Sequence, residues 1–261
     1  MSVKQTKKLS EETATTTVAA GEKFAKVDAN GNVTLIDLAD LKAALLDGIN
    51  LDAMMDGMFI LYHHHQNSSP FMVKPQRWEA LQNSGEIATG VVIIDGGKVL
   101  VVAPTDAGSS GLPWSSQAVG LGNDLSSINY SAAMNDWQGQ TNTSALIAAS
   151  TSEIVTNTST YAPGFCNLYS RVNIKGNGLT GGKWWLPSAG EMMMIYANLN
   201  RINNCLSLIS GATLIPAKTH WTSSDRSYAY AWHLDFYQGL LTYSDKGKNN
   251  FCVRPVSGTI N

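Results

Sequence analysis

The chain has 261 residues, 44% of them hydrophobic and only 15% charged, with a formal net charge of −2. It has no basic run beyond Lys7-Lys8, so it lacks the clustered cations that neutralise nucleic-acid phosphates. No apolar stretch approaches the ~20 residues needed to span a bilayer.

The charged fraction lies below the roughly 25% usual for soluble domains. Ser, Thr, Asn and Gly fill the difference, which favours turns, short strands and a polar uncharged surface. Residues 1–22 are rich in Lys, Thr, Glu and Ala and short of large apolar groups. They bury too little surface to offset ordering entropy, so an extended anchoring arm is expected. No apolar segment of the kind a Sec leader needs follows the polar N-terminus. Synthesis in a cytoplasm without a signal peptide is the expectation.

Residues 23–36 read as two short strands around Asn30-Gly31, a favoured hairpin turn. Asp28, Asn30 and Asn32 imitate the start of a calcium loop. Its sixth position would be Val33 instead of Gly, and its last would be Ala39 instead of a bidentate Glu. From Asp37 to about Gly48, Leu38, Leu41, Ala44 and Leu45 repeat at helical spacing. Residues 23–48 thus form a hairpin–helix unit. Residues 49–72, with Met54, Met55, Met58 and a His63-His64-His65 triplet, read as a connector. The single helical stripe and the Met-rich connector cannot make a core alone, which predicts an oligomer, most simply a homotrimer.

A compact domain is expected over 73–261. Gly90 to Ala103 holds two apolar runs around Asp95-Gly96-Gly97, a hairpin signal. Residues 104–182 are mostly Gly, Ser, Asn and Thr with spaced aromatics. They predict irregular structure pinned by those rings, with some helix over 131–150. Ser188 and Glu191 make a capping box for a helix from Met192 to Leu199. From Tyr228 to Tyr237, alternation puts Tyr228, Tyr230, Trp232, Leu234 and Phe236 on a core face. Ala229, Ala231, His233, Asp235 and Tyr237 fall on a display face. Gln238-Gly239 then turns into a second strand, Leu240 to Tyr243.

Two resemblances follow from these motifs. "ANGNVTLIDLADLKAAL" resembles the small adaptor unit at the N-terminus of many phage fibre and tail proteins. "KWWLPSAGEM", "WTSSD", "YAWHLDF" and "VRPV", in that order over residues 75–257, resemble a domain family of bacterial and phage surface proteins with a C-type-lectin-like fold. It includes the C-terminal domains of collagen-like adhesins and the variable ligand-binding proteins of diversity-generating retroelements. The fold class so implied is α+β, with a C-type-lectin-like C-terminal domain behind the arm and the hairpin–helix adaptor. The function implied is that of a virion fibre protein, on head or tail, binding a bacterial surface receptor or glycan. Other virion proteins would be contacted through the arm. The alternatives are a purely structural decoration fibre and a bacterial surface adhesin.

Carried over from the resemblance, Trp185, Leu186, Pro187, Glu191, Trp221, Ser223, Trp232 and Arg254 are scaffold. The binding candidates are Asp225, Arg226, Tyr228, His233, Asp235, Tyr237, Gln238 and Tyr243. Tyrosine suits this role because it offers a large rigid surface with a polar tip at low entropic cost.

No cofactor and no metal are expected. The low-ranking metal candidates are His63, His64 and His65, since imidazoles gathered on a fibre axis suit a transition ion. Neighbouring side chains of an extended segment point apart, so at most two of them share a site. Asn135-Asp136-Trp137 inverts the Trp-Asn-Asp element of calcium-dependent lectins, and no Glu-Pro-Asn or Gln-Pro-Asp partner occurs. An enzyme is not expected. Formylglycine-generating enzymes share the broad fold and use a cysteine pair, but Cys252 in Asn-Phe-Cys-Val-Arg reads as a buried strand residue. Cys166, Cys205 and Cys252 are odd in number and widely spaced, as small buried hydrophobes are.

Overall fold

The structure is a computed structural model that describes residues 23–27, 33–37, 56–66, 68–117 and 129–258. It divides into two units, Met1–Met54 and Met55–Asn261. In the first, β1 (Lys23–Val27) pairs antiparallel with β2 (Val33–Asp37), with Val27 opposite Val33. The expected hairpin is therefore present. The arm, the calcium-like positions before Val33 and the helix after Asp37 lie outside the described residues.

The second unit is an α+β domain. It opens with β3 (Gly57–His63) and β4 (Pro70–Val73), then a 3-10 turn over Pro75–Arg77 and α1 (Trp78–Asn83). Next come β5 (Ala88–Asp95) and β6 (Lys98–Val102), then α2 (Tyr130–Met134), α3 (Gly139–Ala148) and α4 (Ala162–Leu168). The short pair β7 (Arg171–Val172) and β8 (Gly178–Leu179) precedes α5 (Ala189–Ala197) and α6 (Leu199–Leu206). The chain ends with β9 (Thr219–Asp225), β10 (Tyr230–Asp235), β11 (Leu240–Asp245) and β12 (Val256–Ser257). A five-stranded sheet has the order β12-β6-β5-β3-β4, and a three-stranded sheet the order β11-β10-β9.

Here the domain boundary set from sequence is corrected. The expected connector over 49–72 supplies β3, an interior strand, and most of β4. The reason is physical. Met58 to Tyr62 is an unbroken apolar run, and such runs belong to strands buried on both faces. Met58, Ile60, Leu61 and Tyr62 are buried, and β3 pairs along β5 from Gly57 opposite Ile94 to Tyr62 opposite Ala88. These side chains fill the domain's own core and are not free to join chains together.

Where local chemistry is explicit, prediction and structure coincide. Asp95 pairs with Lys98 across Gly96-Gly97, whose φ values of 55° and 75° are those of a two-residue primed turn that favours glycine. Ser188 caps α5, its hydroxyl accepting from the Glu191 N–H, while Glu191 accepts from the Ser188 N–H at 2.8 Å. Glu191 also accepts from Trp185 Nε1 at 3.1 Å. Burial raises the Glu191 carboxyl above its ordinary pKa, against the pull of these donors.

The main core joins Ile60, Tyr62, Val91, Ile93, Leu100 and Val102 to α5 and α6 through Met192, Ile195, Ile202 and Leu206. Trp232, Leu234 and Phe236 from the strand side complete it. A second core gathers Trp114, Leu146, Cys166, Leu186, Trp221, Ala231 and Val253. β10 runs between the two. All three cysteines are free and buried, and burial pushes their thiols up. Among the described residues no helix is long and apolar enough to cross a membrane.

Candidate binding site

β10 is the middle strand of its sheet, and that decides which candidates reach solvent. Trp232 and Leu234 enter the main core, while Ala231 enters the second. His233 lies on the second side, edge-on to Trp221 at 5.7 Å and beside Phe251 at 4.7 Å, and it is buried. Its Nε2 is 2.9 Å from Ser244 Oγ. The expectation that alternation exposes His233 is therefore corrected. The face opposite the main core is covered by Trp221 of β9, by Phe251 and, from the irregular segment, by Trp114, and is not open to water. Burial holds the His233 imidazole down to about 4, against the opposing pull of Asp235.

Asp225 is corrected for a different reason. Its carboxylate is buried and ion-paired with Lys246 Nζ at 2.9 Å, and this ammonium is itself buried over the Trp114 ring at 4.7 Å. Lys246 Nζ also donates to the Tyr228 carbonyl, and Asp225 Oδ1 accepts from the Ser227 N–H. The pair holds the 226–229 loop from beneath and is not displayed by it.

The remaining candidates fall into two groups at opposite ends of β10, about 17 Å apart at the usual rise per residue. At the β9–β10 end, the Arg226 guanidinium lies over Tyr243 at 4.9 Å and Trp232 at 5.8 Å. Tyr230 meets Tyr243 edge-on at 5.6 Å, and Tyr130 meets Trp232 at 5.0 Å. Tyr228 is 62% exposed and Tyr243 40%. Tyr228 is thus outward, although strict alternation assigned it inward. It precedes β10, so the pleat does not govern it.

At the β10–β11 turn, Tyr237 is 82% exposed and Gln238 is exposed beside it. The turn is rigidly built. Asp235 Oδ1 accepts from the N–H of Tyr237 at 2.9 Å and of Gln238 at 3.2 Å. Phe236 is buried between His220, stacked at 4.3 Å, and Tyr196 at 5.2 Å. Gly239 has φ +67°, and a Cβ there would sit 2.7 Å from the Tyr196 hydroxyl, so glycine is required. Beside this turn opens a cleft of about 370 Å³. It is lined by Lys218, Asp235, Tyr237, Asn250 and Phe251, and by Ser109 and Ser110. Lys218, Asn250 and the two serines were not anticipated. They come from segments distant in sequence, and no local pattern marks them.

Two further expectations are located by the structure. Asp136, in the inverted calcium-lectin tripeptide, spends its carboxylate internally on Asn142 Nδ2 and Ser224 Oγ. In the His triplet, His63 is buried and turned to Thr89 Oγ1 at 2.8 Å, whereas His64 and His65 both turn to Glu86. The scaffold residue Arg254 is buried and donates to the Ala103 and Thr213 carbonyls and to Asp106 at 3.3 Å, and burial lowers its pKa to about 10.

The domain is therefore an α+β scaffold that presents aromatic groups at both ends of one central strand. No family model matches the chain, and no curated protein matches it. Among solved structures it is similar to a fimbrial protein from Bacteroides ovatus, at 16% sequence identity and a TM-score of 0.44. The match covers 61% of this chain and 35% of that one, so the chain spans about a third of that protein's length.

Proposed function

We propose that this chain is a virion fibre protein whose C-terminal domain, of C-type-lectin-like fold, binds a glycan on a bacterial surface without catalysis. The observation that carries the reading is the β10–β11 turn. It holds Tyr237 82% exposed on a pinned backbone, next to a cleft of mixed donors and acceptors. A ring carried on a pinned backbone can lie against the C–H face of a sugar with only its own two side-chain torsions to fix. Asp235 has Oδ2 in reserve, and Lys218, Asn250, Ser109 and Ser110 supply the complementary polar groups. Arg226, Tyr228 and Tyr243, at the far end, form a second contact. The buried, upward-shifted Cys252 thiol makes a poor nucleophile, in keeping with a binding role. Attachment to the virion through the N-terminal arm, and assembly as a homotrimer through residues before β3, belong to the same reading.

The test is adsorption of labelled full-length protein to a panel of intact bacteria and to their purified surface polysaccharides. Tyr237→Ala, checked for folding by near-ultraviolet circular dichroism, is expected to lose roughly tenfold or more in affinity. Asp235→Asn should keep the turn and lose less. If the folded wild type adsorbs to nothing in the panel, the decoration-fibre alternative gains. If Tyr237→Ala adsorbs as wild type does, the turn is not the contact.

A further inference from the structure

The β3–β4 turn brings together a set of groups that the binding role does not use. His64 and His65 are adjacent, yet both imidazoles face one carboxylate. Glu86 Oε1 is 2.7 Å from His65 Nδ1 and 3.4 Å from His64 Nε2. The two rings stack at 4.9 Å, and one donor atom from each of the three residues fits within a 4.8 Å span. Glu86 is 21 residues further along and almost wholly buried, while each imidazole is 28% exposed. Its second oxygen accepts from the His65 backbone N–H at 3.2 Å, which holds the carboxylate in place with Oε1 toward the rings. Phe71 sits edge-on to His64 at 6.1 Å and walls one side. The remaining polar contact is the Gln66 N–H, which donates to His64 Nδ1 at 3.1 Å.

We propose that His64, His65 and Glu86 form a site for a borderline divalent transition ion of the zinc class, tying the β3–β4 turn to the segment that enters β5. Two imidazoles and one carboxylate are a donor set that suits zinc, cobalt and nickel better than calcium or magnesium. Ligand atoms about 2.0–2.1 Å from a tetrahedral zinc lie about 3.3 Å from one another. The two spacings at Glu86 Oε1 bracket that value and all three atoms lie within 4.8 Å, so the imidazoles must swing toward each other to close on one ion. On binding, His65 Nδ1 and His64 Nε2 turn from Glu86 Oε1 to the metal, each through its lone pair. Each ring carries its proton on its other nitrogen, and the exposed Gln66 N–H turns to water. The half-exposed side leaves the remaining coordination positions to water. The hydrogen bond on Glu86 Oε2 acts as the outer support that metal ligands require. The other histidines, His63, His220 and His233, and the three cysteines are buried, so no other imidazole or thiolate competes for the ion.

The experiment uses the full-length chain, stripped with chelator and titrated at neutral pH with CoCl2, reading visible d–d absorption, and then with ZnCl2. One equivalent per chain is expected, with zinc displacing cobalt and raising the thermal midpoint. His64→Ala and His65→Ala, half-exposed positions that leave the core intact, should each weaken binding at least tenfold and abolish the midpoint rise. Glu86→Gln should do the same, and circular dichroism checks its folding. The proposal falls if folded wild type takes up no zinc or cobalt. It falls equally if the His64→Ala/His65→Ala double variant binds as wild type does, or if calcium alone binds.

Discussion

Acidification from pH 6.5 to about 4 is expected to remove several kcal/mol of stability through two histidines. His220 and His233 are both buried, and desolvation lowers each from 6.5 to about 4. His220 donates from Nδ1 to the Lys218 carbonyl at 2.8 Å, which opposes the shift without reversing it. The sign follows from proton counting. Above 6.5 neither the folded nor the unfolded imidazole is protonated, so the full stability is present. Between 6.5 and 4 the unfolded chain takes up protons that the folded chain refuses, and stability falls with pH. Below about 4 both states are protonated and this loss levels off. Each residue contributes at most roughly 3 kcal/mol to the fall. Urea denaturation at closely spaced pH values measures it. His233→Gln keeps a hydrogen-bonding side chain near Ser244 and removes the titration, so its curve should be flatter than wild type over the same interval. Parallel curves for the two proteins would refute the assignment of His233.

Asp225→Ala should be among the most destabilising single substitutions in the domain, by about 3–5 kcal/mol. It strands the Lys246 ammonium, which has essentially no exposure, between Trp114 and the 226–229 loop. The loss is of solvation as much as of attraction. Replacing both partners, Asp225→Leu with Lys246→Met, should therefore recover most of it, because no buried charge is then left over. Chemical denaturation of the two single variants and the double variant gives the coupling directly. If the double variant is as unstable as Asp225→Ala, the cost lies in the lost loop contacts at Ser227 and Tyr228 instead.

What could be read from sequence, and what could not, divides along the range of the interaction. The Gly96-Gly97 turn, the Ser188–Glu191 capping box and the β10–β11 turn are written within a few residues of each other, and all appear where expected. β3 reads as part of a connector in sequence because an apolar run of its length carries no periodicity. Only its pairing with β5, some 30 residues away, makes it a strand. His233 reads as exposed in sequence for a related reason, whereas Asp225 enters only through the resemblance. Alternation identifies two faces of a strand but not what covers the second. The cover here is Trp114 from the irregular segment, Trp221 from β9 and Phe251 from the stretch after β11. Glu86 had no local mark at all. The register that sets Tyr62 opposite Ala88 brings it to the histidines.

The burial of β10 on both sides also says where this scaffold can change its preferences. Positions 231–234 are committed to one core or the other, so a combinatorial library placed there would mostly return unfolded protein. The stretches 226–229 and 237–238 are fastened by main-chain contacts and by Asp225 and Asp235, groups that need not vary. On the proposed binding role, new specificities would arise most readily at those two short stretches, and because they lie at opposite ends of the strand they can be altered independently.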